Sequence, residues 1–359
     1  MRIRKNLSLA ALCLATVGLH LLIVATGTQF YLTQLTMAAY YGLVVIGLGV
    51  LMGYAGQISL GHAGFFAIGG YLAAALTTRN LQPFQEALPV RMLDCLGLLA
   101  TGQDIYGAAL LTVTPWAACV LAVLAAALVA LAIGVPVLKL KGHYLAMATL
   151  GFGTIVYRIL LASAYFGEAD GIVEVPAFPL LPAVGRFGPV VISGDADHRI
   201  LNFYVAWGIL ILGIALLLNL IGSRVGRALR SLHSAEAAEA SGIDTGRCKL
   251  QVFVLSAVYA ATAGVLLTHF NGGIGPGEAS VMKSVRYVAL VAVGGMTNLW
   301  GTLIMGVGLT FLSLRGVFGA YDDVVFGAIL IAVMLFAPGG VLSLRLKEFA
   351  YRLIPGGRS

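Results

Sequence analysis

Apolar runs interrupted by short polar or glycine-rich segments recur along the chain near residues 7–26, 34–53, 62–78, 107–134, 143–163, 203–222, 251–270, 285–297, 299–315 and 325–342. A run of about 17 to 25 such residues crosses a hydrocarbon layer roughly 30 Å thick as a helix, because a helix satisfies its own backbone groups where no water can. The pattern predicts an all-α, polytopic transmembrane bundle of about ten spans. It forms one membrane domain over residues 1–359. The eighth and ninth runs are short enough to be a hairpin or a broken pair.

Composition agrees with this class: hydrophobic residues make up 60% of the chain and charged ones 10%, and the mean hydropathy is +0.96. The few charges orient it. An even number of spans puts both termini on one side, and Lys and Arg are retained on the cytosolic face while acids have little effect. With the termini inside, that face holds 14 of the 22 basic residues and 4 of the 15 acids, a balance of +10 against −3 outside. The basic excess is therefore topological, and no clustered basic face or soluble fold points to nucleic acid. Met1 to Asn6 before an apolar run also resembles a secretory signal, but the run is long for one, and Val24-Ala25-Thr26-Gly27 is a middling cleavage site. Cysteines at 13, 95, 119 and 248 show neither paired spacing nor a Cys/His cluster, so they indicate no disulfide framework and no metal site.

Two polar interruptions carry candidate chemistry. Residues Gly53-Tyr54-Ala55-Gly56-Gln57-Ile58-Ser59-Leu60-Gly61-His62-Ala63-Gly64-Phe65-Phe66 hold four glycines in fourteen positions, which makes a regular helix costly. Irregular backbone survives in lipid only where protein or a water-filled cavity satisfies it. Gln57, Ser59 and His62 then line a solute path, unless the stretch is a glycine-rich cytosolic turn. The second interruption is the basic loop 223–250, which falls on the cytosolic side and contains Glu236-Ala237-Ala238, a gap of three, and Gly242. Read from the residues alone, it is either a docking element or a solvated helix that ends at a natural glycine stop.

The spacing of Glu236, Ala237, Ala238 and Gly242 resembles the EAA-x3-G loop of ABC importer permeases. The glycine-rich stretch is similar to the GY-x-GQ-x-SLGHA-x-F signature of the LivM-type permeases of branched-chain amino acid ABC transporters. Further similarities follow in order: Leu140-Lys141-Gly142-His143-Tyr144, Thr149-Leu150-Gly151-Phe152-Gly153, Gly226-Arg227-Ala228-Leu229-Arg230, Gly294-Gly295, Trp300-Gly301 and Ala337-Pro338-Gly339-Gly340. The resemblance implies a multi-pass subunit of the bacterial inner membrane, with both termini cytosolic. It implies three kinds of partner besides membrane lipid: a second, LivH-like permease, two cytosolic ATPase subunits and a periplasmic solute-binding protein. ATP and Mg would sit on the ATPases, leaving this chain without a cofactor. Glu236, Ala237, Ala238 and Gly242 would dock an ATPase, and Gly56, Gln57, Ser59, Gly61, His62, Gly64 and Tyr144 would border the translocation path. The outer segment 79–106 is long for the family, and Phe166-Gly167-Glu168-Ala169-Asp170-Gly171-Ile172 departs from its TGG-x-x-G-[IL] pattern. Those departures leave urea or small aromatic and carboxylate solutes as alternatives to branched-chain amino acids. The external loop 164–202 is either a dock for the binding protein or a connector.

Other classes fare worse. The sequence has no G-x4-GK-[ST] loop to cradle nucleotide phosphates, so the chain is expected to be a transport subunit and not an enzyme. A secondary transporter would place coupling carboxylates in its spans, and the assigned spans contain no Asp or Glu. An intramembrane enzyme would need a dyad or metal cluster, for which only His62 and His269 are on hand.

Overall fold

The structure, a computed structural model, describes residues 2–103, 107, 109–140, 142–181, 190–232, 235–240 and 242–336. Its helices are α1 (Arg2–Ala25), α2 (Tyr31–Ala55), α3 (His62–Thr78), α4 (Leu88–Cys95), α5 (Pro115–Val137), α6 (His143–Ala162), α7 (Arg199–Gly222), α8 (Arg224–Ser231), α9 (Ala235–Ala240), α10 (Thr245–Asn271), α11 (Val281–Gly294), α12 (Leu299–Leu314) and α13 (Asp322–Phe336). Three two-stranded antiparallel ladders complete it: β1 (Leu99–Gln103) with β2 (Ala109–Val113), β3 (Ile172–Val173) with β6 (Gly273–Ile274), and β4 (Phe178–Leu181) with β5 (Val190–Ile192).

All ten apolar runs are found as helices, in the expected order. Six of them, α1, α2, α5, α6, α7 and α10, are long and apolar enough to cross a membrane unaided, and α12 is a shorter apolar helix. Local chemistry sets their ends. Ser223, Asp244, Ser280 and Asn298 cap α8, α10, α11 and α12 by accepting a backbone N–H with the side chain. Gly56 and Gly272 close α2 and α10 in the left-handed conformation that glycine adopts without a Cβ clash. The fourth run starts later than its hydropathy implied, because Ala109–Val113 pair with Leu99–Gln103 as strands. Pro115, with no N–H to leave unpaired, then opens α5. Lys141, Pro182, Pro189 and Ala337-Pro338-Gly339-Gly340 lie outside the described residues.

At the centre, α2, α3 and α10 pack with α7, α11 and α12 around them, while α1 is mostly exposed and rests on α7. Small residues let the central helices touch. A Cβ at Gly264 of α10 would overlap the Phe66 carbonyl of α3, and one at Gly69 would overlap Ala261. Along α5, Ala118, Ala122, Ala126, Ala130 and Gly134 repeat every fourth position and are all buried, whereas Leu124 and Leu128 between them are exposed. Gly49 and Gly53 serve α2 likewise, meeting Thr302 and the turn at Met296. All three ladders gather at one end of the bundle, and α8 and α9 lie at the other with Arg224, Arg227, Arg230, Arg247 and Lys249 nearby.

Candidate functional site

The glycine-rich stretch 56–61 lies inside the bundle. After Gly56, the Gln57 N–H returns to the Leu51 carbonyl at 3.2 Å, and no helix resumes until His62. Gly47 of α2 packs on Tyr259 and on the Ser256 carbonyl of α10, while His62 Nε2 lies 2.6 Å from Ser256 Oγ. The start of α3 is thus level with Gly47, about 12 Å above the end of α2 at 1.5 Å per residue. Residues 56–61 span that height as non-helical chain.

Protein groups satisfy this backbone. The Leu60 N–H donates to Thr149 Oγ1 of α6 at 3.0 Å, and Ser59 Oγ lies 3.1 Å from His62 Nδ1. Gly61 leaves no room for a side chain, since a Cβ there would lie 2.8 Å from the Thr149 carbonyl, and Gly64 faces Phe152. Gln57, Ser59, Gly61, His62 and Gly64 therefore share one buried junction of α2, α3, α6 and α10, whereas Gly56 is exposed. Gln57 Oε1 is buried without a hydrogen-bond partner. Tyr144 stands apart, 72% exposed in the first turn of α6.

A second interruption mirrors the first from the strand-bearing end. Past Gly272 the chain forms β6, then a 3-10 turn over Pro276–Ala279, and only at Val281 does α11 begin. Residues 271–284 fall between the seventh and eighth apolar runs. In the structure they turn inward: Tyr41, ten residues into α2 and so about 15 Å from its start, donates to Glu278 Oε1 and Oε2 at 3.0 and 3.1 Å. The Ala63 N–H then donates to Ser284 Oγ at 3.3 Å, so the first turns of α3 and α11 meet within the bundle. Both present the partly positive N-terminal end of a helix there. The available signal was the run Gly272-Gly273-Ile274-Gly275-Pro276-Gly277, as hostile to helix as the first stretch.

Charged side chains surround this second break. Lys283 Nζ lies 2.9 Å from Glu278 Oε1 and donates to Tyr41 Oη at 3.2 Å. One turn on, Arg286 pairs with Asp322 at 2.8 Å and Asp323 at 2.7 Å, and donates to Ser313 Oγ at 3.1 Å. Lys283 and Glu278 keep 26% and 24% of their side-chain surface exposed, although their pair sits at the depth of mid-α2. Charges at such depth face protein or water, because lipid cannot solvate them.

At the opposite end, α9 contains Glu236 and Ala237, and Ala238 is buried. Gly242 adopts φ +78° with nothing near its Cα, so its conformation and not crowding demands glycine. The Gly242 N–H donates to the Glu239 carbonyl and the Ile243 N–H to that of Ala238. Thr245 Oγ1 donates to Glu239 Oε1 at 2.7 Å, tying α9 to the start of α10.

Comparison with known proteins gives a consistent match. Residues 30–334 match the family model described as "Branched-chain amino acid transport system / permease component". The permease LivM of Escherichia coli K12, named for high-affinity branched-chain amino acid transport, is 28% identical over 337 residues, covering 88% of this chain and 72% of LivM. BraD of Pseudomonas aeruginosa is 27% identical over 326 residues, 88% of this chain and 95% of its own. LivH of Salmonella typhimurium LT2 is 28% identical over 316 residues, 86% and 92% respectively. No solved structure matches the chain.

Proposed function

Because the chain belongs to the family of branched-chain amino acid transport system permease components, we propose that this ABC importer permease carries leucine, isoleucine and valine along the junction of α3 and α11. The observation that carries the path is the Ala63–Ser284 contact, where two non-helical stretches entering from opposite ends bring two helix N-termini together. Half-helix N-termini at mid-membrane suit the carboxylate of a passing amino acid, and glycine backbone lets it approach. Similarity to both LivM and LivH proteins supports pairing with a second permease of like fold.

One of the two cytosolic ATPases docks on α8 and α9, where the left-handed turn at Gly242 fixes the exit of the docking helix. A solute-binding protein meets the strand-bearing end. Both termini are cytosolic, on the charge argument above. Closure of the ATPases acts through α9 and the Glu239–Thr245 bond on α10, which holds His62 through Ser256. The work of transport then lies in contacts that differ between outward- and inward-open states.

The complete complex reconstituted in liposomes tests this. ATP-dependent uptake of leucine, isoleucine or valine is expected; uptake of urea or an aromatic acid with none of these three would overturn the solute. Gly242→Val, which forces a β-branched residue to positive φ, should cut uptake at least tenfold while assembly persists. Normal uptake by that variant would remove the docking role.

A further inference from the structure

Among the described residues, the ion pairs of Lys283 and Arg286 form a cluster around the second break. Lys283 occupies the first turn of α11, where the helix dipole disfavours a cation. It is held there by Glu278 and Tyr41. Between α2, α11 and α12 lies a cavity of about 30 Å³ lined by Tyr41, Lys283, Arg286, Tyr287 and Ser313. With Glu278 in place it has room for a water or two, so a larger polar group enters only by moving Glu278 aside. Tyr287 is 2% exposed and lines this cavity, yet its hydroxyl has no hydrogen-bond partner, and neither do Arg286 Nε and Asp322 Oδ1. Three such groups in one cluster, each costing about 1–3 kcal/mol while unpaired, leave hydrogen-bonding capacity there for an incoming polar group.

We propose that this cluster is a transient binding site for the zwitterionic head of an amino acid, an inference that rests on the transport reading above. The α-carboxylate displaces Glu278 from Lys283 and takes up the free hydroxyl of Tyr287, while the α-ammonium is received by the released Glu278 carboxylate. The head group exchanges for pairs already made, so no charge is left bare at any stage, and binding is weak by construction. That suits a path, since a tightly held solute would not leave. Arg286 and its acidic partners extend the same alternation of charge toward the strand-bearing end, where Asp323 is half exposed. An apolar side chain needs no matching pocket here, and side-chain selection falls to the binding protein.

The test removes both charges at once. The double variant Glu278→Gln/Lys283→Met keeps side-chain volume and strands no charge, a replacement that ion pairs of purely structural role tolerate. Reconstituted with its partners and the binding protein, it should assemble, and the loaded binding protein should stimulate ATP hydrolysis to within about twofold of wild type. Leucine uptake per ATP should fall at least tenfold. Tyr287→Phe, which deletes only the orphan hydroxyl, should lower uptake severalfold with thermal stability equal to or above that of wild type. Wild-type uptake by the double variant overturns the site while leaving the permease reading intact. Failure of the unmodified complex to import any amino acid overturns both.

Discussion

Two interruptions of helix meet inside this bundle, and they are built from different chemistry. Residues 56–61 are neutral, with Gln57, Ser59 and Gly61 buried: Ser59, His62 and Ser256 form a chain of hydrogen bonds, Thr149 takes the Leu60 N–H, and Gln57 Oε1 is left without a partner. Residues 272–280 lead to charged, quarter-exposed side chains whose pairs leave neighbouring polar atoms unmatched. The first arrangement fixes a backbone in place. The second holds charges that can change partners, as a surface exposed to water and solute requires. Under the proposed function, one break serves as the anchor and the other as the contact for the passing solute.

The comparison breaks most completely where both interruptions share a support, the α3–α10 contact. Gly264→Val would drive side-chain atoms into the Phe66 carbonyl, where backbone cannot yield. The cost should reach or pass the upper end of the about 1–3 kcal/mol typical of overpacking. Thermal unfolding of the detergent-solubilised complex should show loss of the folded permease. Next comes Lys283→Met alone, which leaves Glu278 without a counter-charge. Fully buried pairs lose about 3–5 kcal/mol on such truncation; with a quarter of each side chain exposed, about 1–3 kcal/mol is expected here. Adding Glu278→Gln should recover most of it, which double-variant unfolding would measure. The smallest loss belongs to the neutral break: Ser256→Ala removes the partner of His62 Nε2 and should cost about 1 kcal/mol. If Ser256→Ala proved the more damaging of the two, the division into anchor and contact would be reversed.

Much of the architecture was legible in the sequence because a membrane removes choices. Ten apolar runs, with caps or glycines at their ends, read directly as helices, whereas the close-packed face of Ala118 to Gly134 emerges from the packing. The glycines of 53–66 marked the first break for the same reason, since in lipid a non-helical stretch must have somewhere to go. Depth was harder. Nothing local to Gly272–Ser280 says whether it loops outward or dips inward; Tyr41, 237 residues away, decides the matter. Local hydropathy also joined Ala109–Val113 to the following helix, because the partner strand that claims them is specified by pairing and not by polarity. Tyr144, whose neighbours in sequence match a family element, lies on an exposed face that one chain alone does not cover.

The central claim is that the meeting point of α3 and α11 opens to water during transport. Thiol accessibility at Ser284 tests it most directly, in a background from which Cys13, Cys95, Cys119 and Cys248 have been replaced. Ser284 is 2% exposed and Ala257, its control in the packed core, is 0% exposed. During ATP turnover with loaded binding protein, Ser284→Cys should react with a small, charged, membrane-impermeant thiol reagent, and excess leucine should slow the reaction. Ala257→Cys should stay unmodified. Labelling of Ser284→Cys no faster than that of Ala257→Cys, in every nucleotide state and from both sides of the membrane, would contradict the account.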